Sequence, residues 1–272
     1  MLQKVVLVRR QSPDWAGLAR DYRAGRTIDP RRFAPGREIV GFPQHVERLI
    51  DTWNERFSVD YFSCRAQIAE LSARNVAAVA ESTSFSFDER AVIVDLAART
   101  DFLLFFHDDD DFFSGDLFER VRGAPLEVDT HVFALIRVHS ELLTFVRDGC
   151  DADFIWGRRK GFDFRFQSNN YGLSSRICSE ETLRAMTDHV EASRYADERG
   201  MSERIYPFIV SATVKTPCSA SVLPGIANPK KFRKEIIAFA ERFAQPALPP
   251  AYAWLRAPLQ TMAELFRTAA GK

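Results

Sequence analysis

Short apolar runs and longer stretches with apolar residues at helical spacing take turns along this chain. Lys4 to Val8, Val76 to Val79 and Phe102 to Phe106 are runs too short for a helix, and each predicts a strand. Phe102 to Phe106 has no polar interruption, the mark of a central strand buried on both faces, as parallel strands are. Between them, Phe87 to Arg99 predicts a helix with Ala91, Val92, Val94, Leu96 and Ala97 turned inward. Ser114 stands where it can cap a helix carrying Leu117, Phe118 and Val121 on one face, ended by Gly123 and Pro125. Thr130 to His139 predicts a strand, and Phe162, Phe164 and Phe166 alternate with polar residues at a strand's period of two. A turn is expected at Ser168 to Gly172. Ser179, followed by Glu180 and Glu181, predicts a helix start with its dipole complemented, the helix running to about Ala192 and placing His189 at its end. Tyr206 to Thr213 is a late strand, followed by a loop from Pro217 to Pro229. Upstream, Gln11 to Phe42 reads as a long polar connection, and Pro43 to Arg74 as two helices interrupted near Phe57 to Tyr61.

Strands alternating with helices predict an α/β domain over residues 1–228 with a mostly parallel sheet flanked by helices. From Lys230 the character changes: a basic start leads into one amphipathic helix, and a proline-rich break separates it from a second, so 229–272 reads as a helical appendage.

The chain of 272 residues is long enough for one sizeable core. Its 46% hydrophobic and 27% charged residues are those of an ordinary folded protein. Lys plus Arg balances Asp plus Glu at 37 each, which removes the positive field that nucleic acid would require. The apolar run before Arg9 is far shorter than a signal-peptide core, and no stretch approaches the ~20 apolar residues of a membrane span, so the expected location is cytoplasmic. Cys64, Cys150, Cys178 and Cys218 lie far apart without metal-ligand spacing and read as scattered reduced thiols.

Chemistry concentrates in FLLFFHDDDDFFSGDLFERV, where a buried strand delivers Asp108, Asp109, Asp110 and Asp111 at its C-terminal end. Adjacent carboxylates repel one another and resist desolvation unless a cation neutralises them. Hard oxygen ligands at the end of a parallel strand select Mg²⁺ or Mn²⁺, and the crevice beyond such ends is where open α/β sheets bind ligands, here a phosphate-bearing substrate. The bland alternative is a solvated acidic loop that merely ends the strand.

A strand, then Asp-x-Asp-Asp, two apolar residues and a helix resembles the DxD region of the GT-A glycosyltransferases, in particular bacterial polysaccharide and rhamnosyltransferase-like members with the DxDD form. The resemblance implies a GT-A-type, Rossmann-like fold and transfer of a sugar from a nucleotide-diphosphate donor to a hydroxyl of a glycan or lipid-linked acceptor. It places Asp108 on the donor's ribose or sugar and on the metal, Asp110 on the metal, and Asp109 beside the donor, the metal acting as a Lewis acid on the leaving diphosphate. Arg9 and Arg10 follow the first strand, where the nucleotide would lie, and Glu81 stands close to where the family places an Asp that reads the base. The resemblance also suggests that Asp197 or Glu198, taken as an acidic pair at a helix start with Arg204 following, deprotonates the acceptor in an inverting mechanism. At such a position the pair would otherwise just complement a helix dipole.

Asn169, Asn170 and Tyr171, in QSNNYG, offer amides for sugar hydroxyls and an aromatic face for stacking, and are candidates for the acceptor site; the same residues are also good turn chemistry. His107 reads as a ligand or as a local hydrogen-bonding residue, and Arg158, Arg159 and Lys160 as an anion site or a solvated loop. The rival functions are another Mg²⁺-dependent nucleotidyl or phosphoryl-transfer enzyme, which would want a phosphate loop that KVVLVRRQSPD does not contain, and a catalytically inactive nucleotide-sugar-binding relative. For the tail, the basic cluster Lys230, Lys231, Arg233 and Lys234 suggests peripheral contact with the inner membrane face, and the amphipathic faces suggest packing on the domain or a homodimer.

Overall fold

The computed structural model describes residues 2–9, 20–21, 24–26, 76–79, 87–107, 111–138, 142–146, 157–160, 166, 169–187, 189–214, 234, 237–238, 240–245 and 247–269. Two compact units are distinguished: Met1–Gln11, Ala66–Arg137 and Leu142–Thr213 form the first, and Ser12–Arg65, Val138–Glu141 and Val214–Lys272 the second.

The first unit is α/β, built on a mixed sheet. Strand β1 (Lys4–Arg9) lies between β2 (Val76–Val79) and β3 (Phe102–His107), parallel to both, with Val8 beside Val79 and Arg9 beside His107. Strand β8 (Tyr171–Ser174) runs antiparallel on the other side of β3 and is itself paired antiparallel with β5 (Thr130–Val138), beyond which lie β6 (Leu142–Val146) and β7 (Gly157–Lys160). Off this path, the three-residue β4 (Asp111–Phe113) pairs antiparallel with the long β9 (Glu203–Val214), which also pairs with β5.

The uninterrupted apolar run of β3 has the expected cause. Its register sets Val5 and Leu7 on one face with Leu103 and Phe105, and Val6 and Val8 on the other with Leu104 and Phe106. The first face packs with Phe113, Leu117, Val121, Phe133 and Val210, the second with Ile93, Leu183, Met186, Ala192 and Ala196, so every side chain of the strand meets apolar neighbours. Helices α1 (Phe87–Ala97), α3 (Glu180–Met186) and α4 (His189–Glu198) supply the second face; α2 (Leu117–Val121) supplies the first.

Several boundaries differ from the sequence expectation. Helix α1 packs Val94, Leu96 and Ala97 on the core as expected, with Ile93 fully buried beside them, whereas Ala91 is exposed and Val92 is 55% exposed. The Ser179 cap is present, its hydroxyl accepting the Thr182 N–H at 3.1 Å, but the helix stops at Met186. Thr187 donates its hydroxyl to the Leu183 carbonyl at 2.5 Å, a side-chain bond that competes with the helical ladder, and His189 opens α4 instead of closing the earlier helix. Ser114 does not cap α2, whose N-cap is Asp116; the Ser114 hydroxyl donates to the Asp116 carboxylate, which also pairs with Arg120 at 2.7 Å. The expected turn at Ser168 to Gly172 is in part strand β8, and Arg158 to Lys160 lie in β7 and not in a loop. Gly172 packs closely on β3: a Cβ there would come within 3.1 Å of the Phe105 ring, which would have to give by a few tenths of an ångström. Of the Phe162, Phe164 and Phe166 alternation only Phe166 lies among the described residues, buried against the Tyr171 ring at 4.9 Å; the helices expected over Pro43 to Arg74 and the loop after Pro217 lie outside them.

In the second unit, a 3₁₀ turn (Pro250–Leu255) leads into α5 (Arg256–Ala269). Leu255, Leu259, Met262 and Ala263 recur at helical spacing and are buried, so the chain itself covers that face of the tail. No described helix is long and apolar enough to cross a membrane.

A buried polar seam as the candidate functional site

Because β1, β2 and β3 are parallel, their C-terminal ends, Arg9, Val79 and His107, share one edge of the sheet. Strand β8 is antiparallel to β3 and therefore begins at that same edge. Its register, Phe105 beside Gly172, and the Phe106 and Tyr171 rings 6.2 Å apart bring the start of β8 to the C-terminal end of β3. The Asn-Asn segment and the strand that leads into the acidic run thus meet.

Polar side chains are buried at this edge to a degree that packing does not ask for. Asp111, Asn169 and Ser211 are 0% exposed, Thr213 1% and His107 2%. The Thr213 hydroxyl donates to the Asp111 carboxylate at 2.7 Å, and the Ser211 hydroxyl donates to the Asn169 backbone carbonyl at 2.7 Å. Ser211 and Thr213 are two apart on β9 and so lie on one face, which places their partners roughly 7 Å apart along the strand. His107 sits edge-on to the Phe113 ring at 6.1 Å. Both polar atoms of the Asn169 amide are buried without a hydrogen-bond partner among the described residues. An amide desolvated in this way costs about 1–3 kcal/mol, so the seam is held at the expense of stability.

The candidate residues have different fates. Asn170 belongs to the sheet: its backbone carbonyl accepts the Phe133 N–H at 2.7 Å, and its side-chain amide donates to the Phe133 carbonyl at 3.2 Å. Tyr171 is fully buried between Phe106 and Phe166 and donates its hydroxyl to the Met186 carbonyl, so its ring has no free face on which a sugar could stack. Of the three, Asn169 alone brings an uncommitted side chain to the seam.

Asp197 and Glu198 are not at a helix start. They form the last turn of α4, which closes in a Schellman motif: Gly200 adopts φ 58°, the Gly200 N–H donates to the Asp197 carbonyl at 3.1 Å, and the Met201 N–H to the Ala196 carbonyl at 2.9 Å. Both carboxylates are exposed, and Glu198 faces Arg194 at 3.8 Å. Arg204 lies over the Tyr206 ring at 5.4 Å. Strand β9 begins just after this turn, at Glu203, and reaches Asp111 only at Thr213. Arg9, by contrast, ends β1 directly beside His107. Asp108, Asp109, Asp110, Glu81 and Arg10 lie outside the described residues, and among those described no cluster of His, Cys, Asp and Glu is arranged to hold a metal.

Ser211 and Thr213 were not anticipated as site residues. The available signal was their spacing, two polar residues with one between them in the otherwise apolar IVSATV, which puts both on one face.

At the opposite end of β9 a second polar cluster is fully accounted for. The Asp129 carboxylate accepts the N–H and hydroxyl of Ser202, both at 2.8 Å, and pairs with Arg176 at 2.6 Å. Burial works to raise its pKa, but these three donors outweigh it and the net shift is downward. His131 bridges Tyr206 and Ser174, with Nδ1 3.0 Å from the Tyr206 hydroxyl and Nε2 3.2 Å from Ser174 Oγ. Ser174 spends its own proton on the Val128 carbonyl, so it accepts from Nε2–H, and Nδ1 is left to accept from Tyr206. Burial pushes the imidazole pKa down to about 4. Cys178, also buried, has its thiol pushed up to about 12 by desolvation, which disfavours the thiolate at neutral pH.

No protein-family model matches the chain, and no curated protein sequence matches it.

Proposed function

We propose that this chain is a metal-dependent glycosyltransferase of the GT-A type, which moves a sugar from a nucleotide-diphosphate donor to a hydroxyl of a glycan or lipid-linked acceptor. The observation that carries the reading is what flanks the acidic run: in sequence it follows directly on His107, the end of a central strand buried on both faces at the edge where three parallel strands end, and it closes at the buried Asp111, with Asn169 buried at that edge too. That edge is the ligand crevice of open α/β sheets, and a polar seam desolvated there is hard to account for by packing alone.

On this reading Asp108 and Asp110 hold Mn²⁺ or Mg²⁺, for which their hard carboxylate oxygens are the appropriate donors. The bound metal supplies charge stabilisation to the departing nucleotide diphosphate. Asp109 lies beside the donor, with Arg9 at the end of β1 and Glu81 two residues after β2 in the sequence. Asp111 takes a different part. Its carboxylate is held by Thr213, so it anchors the C-terminal side of the acidic run to β9. Asn169 faces the acceptor, and Asp197 and Glu198, in the last turn of α4, lack the helix-start placement on which the general-base reading drew.

The test is thermal shift of the purified protein against UDP, GDP, dTDP and CMP, each with Mn²⁺ or with EDTA, repeated on Asp110→Ala. A nucleotide at about 100 times its dissociation constant adds about 2.7 kcal/mol. A shift that one nucleotide produces only with metal, and that Asp110→Ala abolishes, is the expected outcome; the absence of a shift with all four refutes the reading.

A further inference from the structure

Asn169 is alone among the described residues in having both side-chain polar atoms buried without a hydrogen-bond partner. Its backbone is far from loose. The carbonyl is held by Ser211, and the next residue is tied to Phe133 in both directions. The amide is therefore held in place at the seam, with its donor and its acceptor both unspent.

The chemistry of that pair limits what can satisfy it. A phosphate or carboxylate only accepts, and would serve the N–H group while setting negative charge against the carbonyl oxygen; a metal ion or ammonium would do the reverse. A hydroxyl donates and accepts at once. The described side chains nearest the amide in the seam, Asn170, Ser211 and Thr213, are neutral, and the Asp111 carboxylate is already engaged by Thr213, while Arg9 ends β1 at the same edge beside His107.

We infer that the Asn169 amide is a sugar-hydroxyl contact: Oδ1 accepts from, and Nδ2 donates to, hydroxyls of a neutral sugar ring bound at the seam. The inference rests on the transferase reading and deepens it, since it makes the acceptor a neutral glycan whose ring is oriented by a residue fixed to the sheet. It also gives a reason for keeping an amide at a buried position where an apolar side chain of similar size would be more stable.

The experiment uses the full chain, with Asn169→Leu and Asn169→Ala. Binding of free glucose, galactose, mannose, rhamnose and N-acetylglucosamine is followed by saturation-transfer NMR. At least one sugar binds the wild type, and both variants bind it about tenfold more weakly, the loss expected for about one net hydrogen bond at its upper magnitude. In the absence of sugar, Asn169→Leu melts about 2–4 °C higher than the wild type, because a desolvated polar group has been removed. Three results overturn the inference: no sugar of the panel binds the wild type, both variants bind as the wild type does, or Asn169→Leu melts lower, which would reveal a structural partner for the amide. Should Asn169→Leu fail to fold, it counts with the last of these unless Asn169→Ala, folded by circular dichroism, has lost the sugar. The transferase reading fails separately, through the absence of a metal-dependent nucleotide shift in the wild type.

Discussion

Acidification should weaken this protein through His131 before its carboxylates titrate. In the unfolded chain the imidazole takes up a proton near pH 6.5; in the fold it does so only near about 4, chiefly because it is buried. The Val128 backbone, Glu127 and Asp129 favour the charged form and Arg204 opposes it, but burial outweighs them. Between these two pH values the unfolded state binds the extra proton, so stability rises with pH across the window: it is fully present above about pH 6.5 and lost progressively as the pH falls towards about 4. At about 1.36 kcal/mol for each pH unit, the gap amounts to about 3 kcal/mol. Urea unfolding at pH 7 and pH 4.5 would measure it, with His131→Gln as the reference in which the depressed group is gone and all carboxylates remain. The variant should be less stable at pH 7, having lost its bonds to Tyr206 and Ser174, and its stability should fall by about 2–3 kcal/mol less than the wild type's over the same interval. Equal losses in the two proteins, with unchanged denaturant slopes, would refute the assignment of a neutral, desolvated imidazole.

Two further substitutions probe the edge of the sheet. Thr213→Val removes the donor from a buried carboxylate and should cost about 1.5–3 kcal/mol, read by denaturant unfolding, while raising the metal concentration needed for the nucleotide shift; unchanged stability would mean that Asp111 does not depend on Thr213. Gly172→Ala forces a methyl group against the Phe105 ring and should cost about 1–3 kcal/mol in the same assay, with Phe105→Leu recovering part of the loss in the double variant if the clash is the cause.

What could be read in advance divides along physical lines. The α/β class and strand β3 were legible because burial on both faces leaves a run with no polar interruption, and the Ser179 cap because its chemistry is local. Strands β4 and β8 were not, since three or four residues carry too little period to separate them from a turn. Their pairing is decided by partners far away in the chain, Thr213 for Asp111 and Val132 for Tyr171. The same distance explains the site. That Asn169 and the strand leading into the acidic run share an edge follows from alternating strands and could be anticipated, whereas the commitment of Asn170 and Tyr171 to the core depends on Phe133 and Met186, which no local pattern names. Asp197 and Glu198 were misplaced because an acidic pair looks alike in the first and last turns of a helix, and the decisive residue, Gly200, lies after them.

The insertion of β8 between β3 and β5 also bears on how the protein is made. Strand β3 is complete at His107, but the strand that covers its second edge ends at Ser174. At a synthesis rate of roughly 5–20 residues per second, that edge waits several seconds for its neighbour, with Phe105 and Phe106 on a strand able to pair with other chains. A nascent chain stalled between β5 and β8 would carry two unfilled edges of one sheet, and it is there, rather than in the finished molecule, that a ribosome-bound chaperone would be needed most.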